Sequence, residues 1–186
     1  MNHFEKMLSS QPIFDGRVVH LRRDEVLLEN GRQAEREVID HSGGVCVAPV
    51  EADGTVLFVR QFRYPFGKEL IELPAGKLER GEDPAACGRR ELSEEVGREA
   101  GIYRSLGCLY PTPAYDTEIT YLYYAADLTP VAQHLDEDEF LDILRVPFDE
   151  AIAMVLDGRI CDAKTQLALL KIDALRRRGE LPVFGA

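Results

Sequence analysis

The chain has 186 residues, and 22 Lys and Arg against 33 Asp and Glu leave a formal net charge of −11 and a pI near 4.9. This length fits one ordinary domain, or one domain with a small appendage, and can bury a core without disulfides or a structural metal. The acidic balance argues against sequence-independent nucleic-acid binding, which needs clustered Lys and Arg.

The cysteine pattern and the hydropathy pattern indicate a cellular compartment. Four widely spaced cysteines, with no C-x-x-C pair, favour free thiols in a reducing compartment over disulfides or zinc. The sequence shows neither a signal-peptide apolar region nor a run of eighteen apolar residues. We therefore expect a cytoplasmic protein that does not enter a membrane.

The first part of the chain reads as strands. Residues 17–40 alternate in short charged segments around a turn at residues 29–31, which predicts a small antiparallel meander. From residue 44 the pattern becomes apolar, and residues 44–50 and 55–62 predict a hairpin of two largely buried strands. A further strand is predicted over 69–73.

The remaining part mixes helices and strands. Asp83 is a good N-cap, Pro84 suits the first helical position and Gly97 supplies a stop, so a helix is predicted over 84–96. The other predicted elements are strands at 100–110, 118–125 and 140–146 and helices at 148–156 and 163–178. Because this order has no βαβ regularity, the expected fold class is α+β.

The predicted helix carries an unusual set of acids. Glu91, Glu94 and Glu95 stand at i, i+3 and i+4, so their carboxylates share one face and repel one another unless a cation lies between them. Gly88 in mid-helix costs a further ~1 kcal/mol relative to Ala. Hard oxygen ligands of this kind suit Mg²⁺ or Mn²⁺. The alternative is a solvated helix face on which Arg90 pairs with Glu94.

The segment around this helix matches a longer pattern. The specified positions of G-x5-E-x7-R-E-U-x-E-E-x-G-U, with U aliphatic, are filled by Gly76, Glu82, Arg90, Glu91, Leu92, Glu94, Glu95 and Gly97. This spacing resembles the Nudix box, and the sequence is identified as a member of the Nudix hydrolase family. Arg98 departs from the pattern, since the family has an aliphatic residue at that position.

The resemblance implies a fold and a set of metal ligands. The family fold is an α/β/α sandwich around a mixed sheet. By position in the box, Glu91 and Glu95 become the principal metal ligands and Glu94 a supporting or third ligand. The backbone carbonyl of Ala75 often joins such ligands, and Arg90 would orient the carboxylates. The implied cofactor is Mg²⁺, with Mn²⁺ as the alternative ion.

The implied reaction is cleavage of a pyrophosphate bond. A pyrophosphate carries repelling negative charges, so hydrolysis requires an activated water and compensation of the charge that develops on the phosphate oxygens. Divalent cations can provide both. An acidic protein needs them all the more, because its own field repels an anionic substrate.

Three further segments resemble the ADP-ribose pyrophosphatase branch of the family: residues 59–63 (VRQFR), 70–76 (LIELPAG) and 110–115 (YPTPAY). That branch has a Pro about sixteen residues beyond the box, and Pro113 lies sixteen residues after Gly97. Ala114 replaces the usual Gly of that motif. The implied substrate is ADP-ribose, cut to AMP and ribose 5-phosphate, and the alternative is GDP-mannose or another sugar nucleotide. For Pro113 taken alone, an ordinary loop proline is an equally open interpretation.

In this branch a further Glu on a loop after the box acts as a base or positions the attacking water. The acidic segment 135–140 contains the predicted residue, Glu139, and a second choice, Glu137. The alternative is that these acids form a solvated turn. A carboxylate on such a loop could close over the substrate once the substrate is bound.

The resemblance also divides the chain into an N-terminal β subdomain over residues 1–42 and a hydrolase domain over 43–186. In related enzymes the early strands exchange or pack across a homodimer and complete the partner's active site. Arg36 and Arg63 match positions with an Arg near the substrate, and Phe14 is the predicted stacking partner of the base. For each of these three residues, a surface or core role stays open.

The alternative from a different functional class is a non-catalytic binding module. Some Nudix folds lose catalysis and serve as ligand-sensing modules, with a degenerate box and an attached DNA-binding domain. Here the carboxylates of the box are intact, and the forty residues after Val146 show no recognition-helix pattern. These observations favour the enzyme.

Overall fold

The computed structural model describes residues 3–136 and 139–181. The chain divides into two compact units. The first comprises Met1–Gly43 and Tyr110–Ile119, and the second comprises Gly44–Leu109 and Thr120–Ala186. Residues 110–119, which contain Pro113, thus cluster with the N-terminal strands. Within the described part of the chain, no helix is both long and apolar enough to span a membrane.

The first unit is a three-stranded antiparallel sheet. Its strands, in the spatial order β1-β2-β3, are β1 (Lys6–Asp15), β2 (His20–Leu27) and β3 (Gln33–Asp40). The turn predicted between β2 and β3 is present, with Gly31 at φ +79°. Strand β1 was not predicted, because its ten residues are all exposed and therefore show no alternation of buried and exposed positions.

Residues 110–119 are held against the end of β3 by backbone hydrogen bonds. The Ile39 N–H donates to the Tyr115 carbonyl at 2.7 Å, and the Thr117 N–H donates to the Ile39 carbonyl at 3.0 Å. The His41 N–H donates to Thr117 Oγ1 at 2.8 Å. This pairing gives the segment a fixed course within the first unit.

Among its described residues, the second unit contains two sheets, three α-helices and a short 3-10 helix (Tyr64–Phe66). Its elements are β4 (Gly44–Pro49), β5 (Thr55–Arg63), β6 (Lys68–Glu72), β7 (Ala75–Lys77), α1 (Pro84–Val96), β8 (Arg98–Leu109), β9 (Thr120–Pro130), β10 (Leu141–Pro147), α2 (Phe148–Leu156) and α3 (Ala163–Arg177). One sheet has the order β7-β4-β9-β8 and is mixed, since β4 runs parallel to β9. The other sheet, β10-β5-β6, is antiparallel.

The core of the second unit has two sides, which successive residues of β4 define. Val45 and Val47 pack in a cluster with buried residues of α1, whereas Cys46 and Ala48 pack in a cluster with residues of α2 and α3. Strand residues alternate between faces, so this arrangement places helices on both sides of the strands. The predicted α/β/α architecture around a mixed sheet is confirmed.

Helix α1 has the predicted bounds, and its ends show why. The Asp83 side chain accepts hydrogen bonds from the Ala85 and Ala86 amides, and Gly97 ends the helix at φ +61°. The mid-helix Gly88 also has a packing reason. A Cβ at this position would overlap the Tyr103 hydroxyl, so only glycine permits this close approach of the helix.

Candidate active site

Two of the box carboxylates are buried. Glu91 and Glu95 lie one helical turn apart on α1, with only 7% and 2% of their surface exposed. Strand β7 approaches them closely. The Ala75 N–H donates to Glu95 Oε2 at 2.9 Å, and a Cβ at Gly76 would overlap the Glu91 carboxylate. The first glycine of the box is therefore required for the Glu91 carboxylate to occupy its place.

Arg90 connects the other acids of the box. Its Nη1 donates to Glu91 Oε1 at 2.8 Å and to Glu94 Oε2 at 2.9 Å. Its Nε and Nη2 donate to the two oxygens of Glu82 at 3.1 and 3.2 Å. The Arg90–Glu94 pair of the surface-helix alternative is thus present, but the same guanidinium also holds Glu91 and Glu82. Arg90 thus contacts three acids of the box, and its orienting role toward metal ligands stays a prediction.

The buried carboxyls have raised pKa values in the metal-free protein. Burial raises the pKa of Glu91 to about 7, with repulsion from Glu94 and Glu139 adding to it and Arg90 opposing it. Burial likewise raises the pKa of Glu95 to about 8, with the Ala75 N–H opposing and with Glu91 and Glu139 adding repulsion. Both groups lack full charge compensation, which a bound cation would supply.

Glu139 lies close enough to this pair to influence it electrostatically, because its charge raises the pKa of both Glu91 and Glu95. Glu139 is half-buried, and its N–H donates to the Asp136 carbonyl at 3.0 Å. Three acids of the second unit therefore gather in one region. Glu137, the second choice for the same role, lies outside the described residues.

The donor atoms of this region fit a hard divalent cation. Carboxylate oxygens of buried, incompletely compensated Glu side chains are the ligands that Mg²⁺ and Mn²⁺ prefer. Among residues 3–136 and 139–181, however, no group of three or more His, Cys, Asp and Glu side chains already has metal-binding geometry. The Arg90 guanidinium instead donates hydrogen bonds to Glu91 and Glu94. The assignment of Glu91, Glu94, Glu95 and the Ala75 carbonyl as ligands stays a prediction.

Arg63 belongs to a second charged group beside Glu95. Its Nε and Nη2 donate to the two oxygens of Glu72 at 2.7 and 2.8 Å, and Lys164 Nζ donates to Glu72 Oε2 at 2.6 Å. Burial opposes ionisation of Glu72, but the Arg63 hydrogen bonds and Lys164 outweigh it and lower its pKa to about 2. Arg63 thus compensates a buried carboxylate, and its predicted contact with substrate stays a prediction.

The other predicted substrate residues lie in the first unit. The Arg36 guanidinium pairs with Glu5, with donor–acceptor distances of 2.9 and 2.6 Å. Phe14 on β1 and Pro113 are both exposed. The structure gives none of the three a burial that would make it a core residue, and their roles toward substrate stay predictions.

The two departures from the family patterns have local explanations. Arg98, in place of an aliphatic residue, donates from Nε and Nη2 to Glu51 Oε1 at 3.2 and 3.1 Å, so an ion pair replaces apolar packing there. Ala114 stands where a glycine is usual. Its φ is not positive, because Asp127 is the only non-glycine residue with positive φ in the described chain, so this turn does not require glycine.

Sequence reasoning did not single out Glu72 or Lys164. The available signals were a Glu between Ile71 and Leu73 in an apolar strand and a Lys in the first turn of a helix, where the helix dipole disfavours positive charge. Each is a polar residue in an unfavourable place, which is typical of a buried pair. Their pairing joins residues 92 positions apart and could not be read from spacing.

The α/β/α fold and the two buried carboxyl groups on α1, beside the glycine of β7, are typical of a metal-dependent hydrolase. Comparison with known families agrees. A model described as NUDIX domain matches residues 40–166, and a model described as nucleoside diphosphate sugar hydrolase N-terminal domain matches residues 5–39. The chain belongs to the Nudix family.

Two relatives match most of the chain. It is 41% identical to a methanol dehydrogenase activator of Bacillus methanolicus and 36% identical to an ADP-ribose pyrophosphatase of Bacillus subtilis (strain 168). Each alignment spans 89% of this chain and 90% of the relative. A crystal structure of an ADP compounds hydrolase superposes with a TM-score of 0.83 over 95% of this chain and 97% of that chain, at 22% identity, which supports the fold.

Proposed function

We propose that this chain is a divalent-metal-dependent pyrophosphohydrolase of nucleoside diphosphate sugars, and that its preferred substrate is ADP-ribose, cut to AMP and ribose 5-phosphate. The observation that carries the proposal is the buried pair Glu91 and Glu95 beside Glu139, in a chain with an intact Nudix box. The ADP-ribose pyrophosphatase relative and the N-terminal match to nucleoside diphosphate sugar hydrolases support the substrate class.

We assign the proposed roles to particular residues of the chain. Glu91 and Glu95, assisted by Glu94, would hold Mg²⁺ or Mn²⁺, which when bound offsets charge on the phosphate oxygens and makes water a better nucleophile. The Ala75 N–H fixes one oxygen of Glu95, and Arg90 orients Glu91 and Glu94.

Glu139 would accept a proton from the attacking water, or position that water. The water oxygen forms a bond to one phosphorus, and the bond from that phosphorus to the bridging oxygen breaks, which leaves two monophosphates. A cation held by Glu91 and Glu95 would offset the negative charges that surround Glu139 and the attacking water.

We further propose that the first unit forms a homodimer interface. Its exposed apolar side chains include Phe4, Met7, Leu8, Ile13, Phe14, Val18 and Val19. Apolar side chains concentrated in this way mark interaction surfaces. A second copy of the chain would cover them and would bring the predicted Phe14 and Arg36 to the partner's substrate.

A cytoplasmic location stays part of the proposal. All four cysteines are free, Cys46 and Cys87 buried and Cys108 and Cys161 exposed. Exposed free thiols are typical of reducing compartments.

The test is a substrate panel. Purified protein with Mg²⁺ is given ADP-ribose, GDP-mannose, ADP-glucose or a diadenosine polyphosphate, and the monophosphates released are measured as phosphate after phosphatase treatment. Preferred cleavage of ADP-ribose supports the proposal. Preference for GDP-mannose keeps the mechanism and replaces the substrate. Tight binding of one member without cleavage contradicts an enzyme and supports the sensing alternative.

A further inference from the structure

The N-terminus of α3 reaches the strand that precedes the candidate metal site. Lys164 Nζ lies 2.6 Å from Glu72 Oε2 and 2.8 Å from Asp162 Oδ1. The next residue, the fully buried Thr165, accepts a hydrogen bond from the Leu73 N–H at 2.9 Å. Two consecutive residues of the helix therefore hold the last residue of β6, Glu72, and the residue that follows it, Leu73.

The segment between the Leu73–Thr165 hydrogen bond and the Ala75–Glu95 hydrogen bond is short, and its backbone is held in place. Pro74 follows Leu73, and its carbonyl accepts from the Val47 N–H of β4 at 2.9 Å. Ala75 comes next, and its N–H donates to Glu95 Oε2. Because proline has a restricted φ and also restricts the residue before it, little rotation can be absorbed between Leu73 and Ala75.

The position of Lys164 lowers the stability of α3 considered by itself. It lies in the first turn of α3, where the helix dipole disfavours a positive charge, and its side chain is only 20% exposed. Arg63 already provides Glu72 with a two-point ion pair. Lys164 adds a second, partly buried cation, and this one links Glu72 to Asp162, the N-cap residue of α3.

We propose that Lys164 and Thr165 are positioning residues for the candidate metal site: they fix the Glu72–Ala75 segment to α3, so that the Ala75 amide holds the Glu95 carboxylate in its ligating orientation. This inference rests on the proposed function. Its consequence is that metal affinity depends on two residues of a helix that carries none of the box.

The test measures metal binding directly, with Mn²⁺ as the probe and its free concentration followed by electron paramagnetic resonance. Lys164→Met should lower Mn²⁺ affinity on the order of tenfold, as loss of an outer hydrogen-bond partner does at other metal sites. Lys164→Arg keeps a cation near Glu72 and should restore most of the affinity. Thr165→Val, nearly equal in shape, should weaken Mn²⁺ binding in the same direction.

The matched control is Lys171→Met on the same helix. Lys171 Nζ donates to the Leu106 carbonyl at 2.5 Å, so this variant also removes a partly buried ammonium from α3 but leaves Glu72 untouched. It should bind Mn²⁺ as the unaltered protein does. Thermal unfolding of all variants separates loss of stability from loss of affinity.

Unchanged Mn²⁺ affinity in folded Lys164→Met and Thr165→Val would overturn the proposal, because a purely structural role lowers only the unfolding temperature. An equal loss in Lys171→Met would overturn it as well. Failure of the proposed function would give a different result. Mn²⁺ would bind to the unaltered protein, and Glu95→Gln would weaken this binding, but the unaltered protein would cleave no sugar nucleotide. If Glu95→Gln does not weaken Mn²⁺ binding, the positioning inference fails with the site itself.

Discussion

The Glu91 carboxylate of α1 fills the space in which a side chain of Gly76 on β7 would lie, since a Cβ on Gly76 would overlap this carboxylate. The backbone of Gly76 is not in the left-handed region, so alanine is compatible with its conformation. We expect Gly76→Ala to fold and to displace the Glu91 carboxylate. Metal affinity and turnover should fall by about 10- to 100-fold, measured by Mn²⁺ titration and steady-state kinetics. Normal affinity in this variant would remove Glu91 from the set of ligands.

Arg90 is expected to be irreplaceable by lysine. Its planar guanidinium reaches Glu82, Glu91 and Glu94 together, whereas a lysine ammonium cannot hold three carboxylates with that geometry. Arg90→Lys should lower kcat/KM for the preferred substrate about tenfold or more. The control is Arg89→Lys, since Arg89 donates to the Ala100 carbonyl and lies over the Tyr103 ring, away from the box carboxylates. Equal activity of the two variants would contradict an orienting role for Arg90.

Glu139→Gln should lower turnover more than it raises KM, because the carboxylate is proposed to act on the attacking water and not to bind substrate. Steady-state kinetics at saturating Mg²⁺ decide this. Asp136→Asn removes a charge from the same segment and serves as the control, with near-normal turnover expected. If Glu139→Gln retains normal turnover, the neighbouring Glu137 becomes the favoured residue.

Stability of the metal-free protein should fall as pH rises. Glu91 and Glu95 have folded-state pKa values of about 7 and 8, above their ordinary value of 4.5. As pH rises, the unfolded chain therefore releases these two protons at lower pH than the folded chain does. The contribution of Glu91 and Glu95 to the free energy of unfolding is complete below pH 4.5 and is lost progressively up to about pH 8. Thermal unfolding in EDTA from pH 5 to 8 should show this decline, and Glu95→Gln should reduce it.

A bound divalent cation should reverse that trend. Metal ligands must be deprotonated, so affinity rises with pH over the same window and binding releases protons. Saturating Mg²⁺ should consequently raise the unfolding temperature more at pH 8 than at pH 6. A stabilisation by Mg²⁺ that does not depend on pH would contradict the involvement of Glu91 and Glu95.

The oligomeric state tests the role assigned to the first unit. Light scattering of the purified protein should give twice the chain mass, because the exposed apolar side chains of β1 need a covering surface. Replacing Met7 and Ile13 by Ser should shift the protein toward the monomer and lower activity, if Phe14 and Arg36 serve the partner's site. A monomer of full activity would remove the shared-site proposal.

Much of the fold could be predicted because local signals and tertiary packing agree. Helix α1 begins and ends as predicted, since Asp83 caps it and Gly97 supplies the left-handed residue that ends it. The apolar runs of β4 and β5 identified two buried strands. Strand β1 shows no buried face, and β7 has only three residues, so neither produces a periodic pattern.

The candidate site was predictable only in part. The spacing of the box placed Glu91, Glu94 and Glu95 on one helical face, but burial of two of them depends on the approach of β7, which spacing does not show. Lys164 and Glu72 come from elements far apart in the chain, and only the fold brings them together. Sequence patterns report neighbours along the chain, whereas this pair is made by packing.

The most direct test of the proposed function compares ADP-ribose hydrolysis by the unaltered protein and by Glu95→Gln, with and without Mg²⁺. The products are separated by ion-pair chromatography. We expect AMP and ribose 5-phosphate from the unaltered protein with Mg²⁺ only, and loss of this activity in Glu95→Gln although the variant stays folded. Cleavage that persists in folded Glu95→Gln, or that needs no divalent cation, would contradict a metal-dependent mechanism that uses Glu95.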